Sequence, residues 1–180
     1  MITWFISDTH LGHANIVTFE NTMRAALFDT IEEHDEAIMD LWNDRVKKRD
    51  VVYHLGDVAA NKWALAKVKK LPGIKQLVLG NHDKLSLKAY LEVFNNVMAF
   101  KEWDNILLTH FPIDLCSVRP RYRGNFHGHL HDAGIMPVSE FHVCICPDVI
   151  GTMGPVSIDE FIQDMRGFGP RYVKGETKCR

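Results

Sequence analysis

The sequence predicts a layered α/β domain in which strands and helices alternate and the helices cover a sheet. Two observations carry that expectation: short runs rich in β-branched and aromatic residues recur along the chain, and segments of helical period with recognisable start signals separate them. A third observation places chemistry on the layers. Asp, Asn and His residues repeatedly follow the apolar runs directly, at the carboxyl ends of the expected strands, which is where layered α/β proteins bind ligands.

Taken in order, residues 2–6, 51–55, 74–79, 106–109 and 141–145 have strand length and strand composition. Between the first two, Thr30-Ile31-Glu32-Glu33 forms a capping box ahead of Ile38, Leu41, Trp42 and Val46, and this helix is expected to end near Lys48. Asn61 is the expected N-cap of a helix carrying Trp63, Leu65, Val68 and Leu71. Ser86 plays the same part ahead of Leu87, Tyr90, Leu91 and Phe94. Ser157 and Glu160 offer a second capping box, with Ile158, Phe161, Ile162 and Met165 as the apolar stripe. Residues 117–125, rich in Pro, Gly and Arg, read as a surface loop. Residues 1–166 are expected to form one domain, with 167–180 a loosely ordered basic tail, and no repeat or linker divides the chain.

Composition agrees with one ordinary globular core: 46% of the 180 residues are apolar and 24% charged. A net charge of −2 excludes the broad pull on nucleic acid that a strongly basic domain exerts, although a local basic patch stays open. The N-terminal residues lack a signal-peptide pattern, and no run approaches the ~20 apolar residues of a membrane span, so the expected location is cytoplasmic. Cys116, Cys144, Cys146 and Cys179 have no CxxC spacing and are expected as reduced thiols. Cys144 and Cys146 would share one face of a strand, but a zinc site there lacks two ligands.

The chemistry lies in an ordered series: Asp8 and His10, Gly56-Asp57, Gly80-Asn81-His82-Asp83, His110, and Gly128-His129-Leu130-His131. A single histidine at a strand end is more often a structural hydrogen-bonding residue than a ligand. Four strand-end landing points together make coincidence a poor account. Mixed N and O donors of this kind suit Mn, Fe, Zn, Ni or Co better than Ca.

This series resembles the calcineurin-like metallophosphoesterase superfamily, whose blocks DxH, GD, GNH(D/E), H and GHxH occur here in order over residues 8–131. WFISDTHLGHANI, with the later WN and VVYHLGD, is also similar to a compact bacterial and phage branch. The resemblance implies a sandwich of two β-sheets flanked by helices, with two divalent metal ions at one end. It puts Asp8, His10, Asp57 and His131 around one ion and Asp57, Asn81, His110 and His129 around the other, with Asp57 bridging. It further implies that His82 protonates the leaving oxygen, that Asp83 orients His82, and that a metal-activated water attacks phosphorus. Two carboxylates do not cancel the charge of two divalent ions, so the neutral ligands leave positive charge for a phosphate.

His13 and Asn15, just past the first ligand pair, are expected either to touch substrate or to support a ligand. Arg119, Arg121 and Arg123, between His110 and His129, are candidates for binding a phosphate, with a solvated loop as the alternative. His54 is expected to be a structural histidine bonded to backbone, and His142 and Asp148 to be solvated or packing residues. The expected reaction is hydrolysis of a phosphodiester or phosphomonoester of a small molecule or nucleotide. A nuclease acting on nucleic-acid ends or single strands, and a non-catalytic scaffold like the retromer subunit of this superfamily, are the alternatives. Val58-Ala59-Ala60, after Gly56-Asp57, offers substrate no polar side chain.

Overall fold

The computed structural model describes residues 1–20, 22–118, 121–131 and 141–160. Strands β1 (Thr3–Ile6), β2 (Val51–His54), β3 (Ile74–Val78) and β4 (Asn96–Met98) run parallel. The short β9 (Val156–Ser157) pairs antiparallel with β1, giving the order β4-β3-β2-β1-β9. Parallel neighbours need long crossovers. Helices α1 (Met23–Leu27) and α2 (Ile31–Arg45) lie in the first, α3 (Lys62–Lys69) in the second and α4 (Leu87–Leu91) in the third.

The starts of α2, α3 and α4 are those the sequence announces. Thr30 accepts from the Glu33 amide while the Glu33 carboxylate accepts from the Thr30 amide, both at 3.2 Å, and Asn61 and Ser86 cap α3 and α4 through the amides of Ala64 and Ala89. Helix α2 stops at Arg45, short of Lys48, because the chain turns extended at Val46 once its amide has closed on the Trp42 carbonyl. Leu65, Val68 and Leu71 are buried as expected, whereas Trp63 is 88% exposed. Two residues before Leu65 is about 200° around the helix, the opposite face.

Alternation along the strands sorts the core into two layers. Trp4, Ile6, Val52 and Leu77 face Ile38 and Trp42 of α2, Leu65 and Val68 of α3, and Tyr90 of α4. Their sequence neighbours Phe5, Tyr53 and Val78 face the other way, onto Ile106, Leu108 and Phe126 of a second sheet. That sheet has the order β5-β6-β7-β8, from β5 (Lys101–Trp103), β6 (Ile106–Leu108), β7 (Gly124–His127) and β8 (His142–Cys144), with only β5 antiparallel. Phe5 sits at the junction, edge-on to Trp103 at 5.0 Å and to Phe126 at 5.3 Å. The fold is thus two mixed sheets packed as a sandwich with flanking helices, as the resemblance implies.

Strands β4, β5, β7 and β9 and helices α1 and α5 (Pro147–Ile150) went unforeseen, because runs of two to five residues are too short for a period to register, and β7 takes Gly124 and Asn125, both buried, from the expected surface loop 117–125. The Ser157 amide donates to Glu160 at 2.8 Å, one half of the expected capping box, while Phe161, Ile162, Met165 and the tail 167–180 lie outside the described residues. Cys144 and Cys146 are free and buried, but Cys116 is disulfide-bonded, against the expectation of reduced thiols throughout. Among the described residues no helix is long and apolar enough to cross a membrane.

Candidate metal centre

Four of the expected ligands sit on left-handed backbone: Asp8 (φ 50°), His10 (φ 43°), Asp57 (φ 57°) and His129 (φ 69°). Non-glycine residues hold such conformations only where the surroundings over-determine them. Here the segments after β1 and β2 run side by side, with the amides of Asp8, His10 and Leu11 donating to the carbonyls of Gly56, Asp57 and Val58 at 2.9–3.0 Å. The turns carry the carboxylates onto glycine backbone. A methyl group on Gly80 would strike the Asp57 carboxylate, and one on Gly128 would strike the Asp8 carboxylate and Ser7, so two of the motif glycines are places where a ligand lies against a bare Cα.

The seven expected ligands converge. Asp8 accepts the His129 amide on both oxygens at 3.0–3.1 Å, and its Oδ1 lies 3.5 Å from His131 Nε2 and 4.0 Å from His10 Nε2. Asp57 Oδ2 lies between His10 Nε2 at 3.6 Å and His110 Nε2 at 3.4 Å. Asn81 Oδ1 is 2.8 Å from His110 Nε2 and 3.1 Å from His129 Nδ1. Donor atoms of Asp8, Asp57 and His110 fall within 4.8 Å of one another, as do those of Asp8, His131 and Cys146.

The donor set fits a bound cation. His10 Nε2 is buried without a hydrogen-bond partner among the described residues, aimed at two carboxylates; an orphaned buried polar atom costs about 1–3 kcal/mol. His110 Nδ1 lies 2.8 Å from the Leu55 carbonyl, which can only accept, so Nδ1 carries a hydrogen and Nε2 is turned to the oxygens of Asp57 and Asn81. Those oxygens call for positive charge at Nε2, either a proton on it or a metal ion bound to it. Burial lowers the His110 pKa, but the Asp57 hydrogen bond and the charges of Asp8 and Asp57 raise it above its ordinary value overall. Burial likewise opposes charge on His131, yet bonds to Asp148 and Asp8 bring it up to about 9. Burial raises the Asp8 pKa, but His131, His110 and Ser7 hold it well below the usual carboxylate range; His10, dominated by burial, falls to about 3. The centre therefore keeps Asp8 ionised and gathers its positive charge on His110 and His131, while His10 stays neutral.

A cavity of about 250 Å³ opens beside these ligands, lined by His10, His13, Asp57, Ala59, Ala60, His82, Lys84 and Leu85. His82, exposed, has its amide bonded to Asp57 Oδ1 at 2.8 Å and its ring 5.4 Å from that of His10. His13 lines the same cavity, 5.8 Å ring to ring from His10. Asn15 does not line it and lies exposed on a 3-10 turn (Ala14–Val17). The expected partnership of Asp83 with His82 is replaced by another: Asp83 accepts the amides of Asp57, Val58 and Gly80 at 2.8–3.0 Å, tying the second and third ligand loops together.

Of the two readings of the arginines, Arg121 and Arg123 fit the solvated loop. Arg121 pairs with Glu102 at 3.0 Å and Arg123 pairs with Asp104, both exposed. The Arg123 amide bonds to the Asn105 carbonyl in the β5–β6 turn, at the amino end of β7. Four strand residues, about 13 Å of β7, separate that end from Gly128 and the ligands. Arg119 lies outside the described residues. His54 is wholly buried, but its partner is a side chain: the Thr9 hydroxyl donates to the Val58 carbonyl at 2.7 Å and so accepts from His54 Nε2 at 2.9 Å.

Four neighbours of the centre went unrecognised in the sequence: Lys84 in the cavity, Cys146 with Sγ 3.4 Å from His131 Nδ1, Asp148 bonded to that nitrogen, and the fully buried Arg24. Arg24 sits among Met, Ala and Leu residues in α1, and nothing in such a stretch marks an arginine that points inward. Asp148, expected to be a solvated or packing residue, follows a proline just beyond a strand, a position the ligand motifs share and the only available hint.

Residues 1–145 match the sequence pattern described as Calcineurin-like phosphoesterase. The chain is 34% identical over 136 residues to the Gene 66 protein of Mycobacterium phage L5, covering 61% of this chain and 63% of that one, so the match spans less than two thirds of the phage protein. It is 31% identical over 137 residues to the uncharacterized protein MJ1445 of Methanocaldococcus jannaschii, covering 71% and 68%. Two solved structures share the fold: a protein of unknown function, AQ665, from Aquifex aeolicus (TM-score 0.64, 24% identity, 90% of this chain and 98% of that one) and an archaeal phosphodiesterase (TM-score 0.50, 19% identity, 82% and 83%).

Proposed function

The chain belongs to the calcineurin-like phosphoesterase family, and from that premise we propose that it hydrolyses a phosphodiester or phosphomonoester of a small molecule or nucleotide with two divalent metal ions. Asp8, His10, Asp57 and His131 would hold one ion and Asp57, Asn81, His110 and His129 the other. The observation that carries this reading is the position of Asp57: one carboxylate oxygen stands 3.6 Å from His10 Nε2 and 3.4 Å from His110 Nε2, the place of a bridging ligand between two nitrogen sets. When bound, such ions neutralise phosphate charge and acidify a water molecule at neutral pH.

The chain's own groups do the rest. Leu55 holds His110 in the tautomer that offers Nε2 inward, and Asp83 locks the Asp57 and Gly80 loops at a common distance. Ala59, Ala60 and Leu85 form an apolar wall that limits water around a bound ester, while His13 and Lys84 supply donors for its non-bridging oxygens. His82, at the rim and free of the ligand set, is placed to hand a proton to the departing oxygen. A nuclease would want a basic groove with exposed aromatics. Phe111, 48% exposed with its ring 4.5 Å from His129, supplies one aromatic, but Arg121 and Arg123 are ion-paired at the far end of β7. The small-molecule reading is therefore the stronger.

The test is hydrolysis of p-nitrophenyl phosphate and bis-p-nitrophenyl phosphate by metal-stripped protein, with Mn, Fe, Zn, Ni, Co or Mg restored singly. Metal-dependent turnover that Asp57→Asn abolishes supports the reading and ranks monoester against diester. Tight binding of two metal equivalents without turnover of either ester would favour the scaffold alternative.

A further inference from the structure

We propose that Arg24 and Asp148 are positioning residues for the metal centre, which aim His131 at Asp8 and so set metal affinity at the Asp8–His10–Asp57–His131 site; this rests on the ligand assignment above. His131 has 28% of its side chain accessible against 0% for Asp8, so the metal side alone does not fix its ring. Its Nδ1 lies 2.9 Å from Asp148 Oδ2. An ionised carboxylate only accepts, so Nδ1 carries a hydrogen and Nε2, 3.5 Å from Asp8, is the nitrogen left to face a metal ion.

Asp148 is held in turn. Its Oδ2 accepts from Arg24 Nε at 2.9 Å in a pair whose side chains are 2% and 0% exposed. The same guanidinium donates from Nη2 to the Asp8 carbonyl at 2.6 Å, bracing the left-handed backbone of that ligand. One arginine therefore orients two ligands of a single ion, one through its backbone and one through Asp148. Because Arg24 neutralises Asp148, the bond to His131 adds no net negative charge beside Asp8.

The third arm of Arg24 anchors the assembly to the helix layer. Nη1 lies 3.2 Å from His34 Nε2, and since arginine cannot accept, that nitrogen must. His34 Nδ1 then donates to Asp35 at 3.3 Å, and Asp35 accepts the Gly12 amide at 3.1–3.2 Å and the Lys67 ammonium at 2.7 Å. Lys67 of α3 and His34 of α2 donate to Asp35, Arg24 of α1 donates to both His34 and Asp148, and His131 donates to Asp148, so paired donors and acceptors link α3, α2, α1 and α5 to the ligand. Residues that merely filled space there would affect stability alone; residues that aim a ligand affect one metal site selectively.

The experiment is titration of the metal-stripped full chain with Mn, and with Co(II) followed by its visible absorption, against a chromophoric chelator. Asp148→Ala and Arg24→Met should each weaken one of two metal equivalents about 10–100-fold and leave the other unchanged, the pattern of His131→Ala, while Asp148→Asn, which keeps an acceptor, loses less. If His131→Ala loses one equivalent while folded Asp148→Ala and Arg24→Met keep both at wild-type affinity, or weaken both equally, the proposal is overturned and the ligand assignment stands. If His131→Ala itself keeps both, the assignment falls and takes this proposal with it. Should Asp148→Ala or Arg24→Met fail to fold, Asp148→Asn and Arg24→Lys decide: a change confined to one equivalent supports the proposal, and unchanged affinity at both overturns it.

Discussion

The two ends of strand β7 make an instructive contrast. Beyond its carboxyl end, Gly128 to His131 lie against Asp8 so tightly that a side chain at Gly128 would collide with it; before its amino end, Arg121 and Arg123 are exposed and pair with Glu102 and Asp104 of the β5 hairpin. Both stretches carry polar residues of the kind that bind phosphate. The difference is polarity of the strand: in parallel β1, β2, β3, β6 and β7 every carboxyl end opens on the same place, and every amino end opens away from it. Residue type proposes a site, and strand direction disposes of it.

The contrast can be broken or sharpened by substitution. Asp57→Asn, which removes the carboxylate between His10 and His110, should reduce metal-dependent turnover by about 10³-fold or more, measured as kcat/KM on an aryl phosphate. His82→Ala should cost about 10²-fold on an ester with a poor, alkyl leaving group and little on p-nitrophenyl esters, with metal content unchanged; equal losses on both would remove its proton-donor role. Gly128→Ala, forcing a methyl into Asp8 and Ser7, should lower stability by about 1–3 kcal/mol in urea melts and displace metal as well.

A buried pair behind the ligands should outweigh the exposed pairs at the far end. Asp35, 3% exposed, is disfavoured as a charge by burial, yet bonds from His34, Lys67 and the Gly12 amide bring its pKa below the ordinary value. A depressed folded pKa contributes stability that is present above the unfolded carboxylate pKa and is lost as pH falls through the folded one. Asp35→Asn should thus cost about 2 kcal/mol at pH 7, with the deficit shrinking below the usual carboxylate range, as read from chemical melts across pH. Arg121→Ala and Arg123→Ala should change stability by less than about 0.5 kcal/mol and leave turnover within about twofold. A tenfold rise in KM for either would return the loop to the site.

Much of this molecule is written in local pattern. Thr30, Asn61 and Ser86 announce their helices because a cap is an interaction among four consecutive residues, and the strands before Asp8, Asp57, Asn81 and His110 announce themselves by composition. The seven candidate ligands are legible because the motifs repeat one physical situation, a polar residue at a strand's carboxyl end, and because their spacing resembles a known family. The motif block that holds Asp83 was legible too, but the partners of Asp83 were not. Three backbone amides from two loops claim the carboxylate that sequence adjacency assigned to His82.

By itself, then, the sequence determined the alternation of layers, the starts of α2, α3 and α4 and the candidate metal-binding groups, since each of these depends on residues within a few positions of one another. Only the tertiary structure decided which charged groups share a space. It carried Arg24 inward beneath Asp8 and Asp148, brought Asp148 to His131, set Lys84 and His13 on the cavity wall, and sent Arg121 and Arg123 to the opposite end. The physical reason is that burial and charge pairing are properties of neighbours in space, and strand direction and crossover geometry, which bring distant segments together, are not encoded in any single stretch of chain.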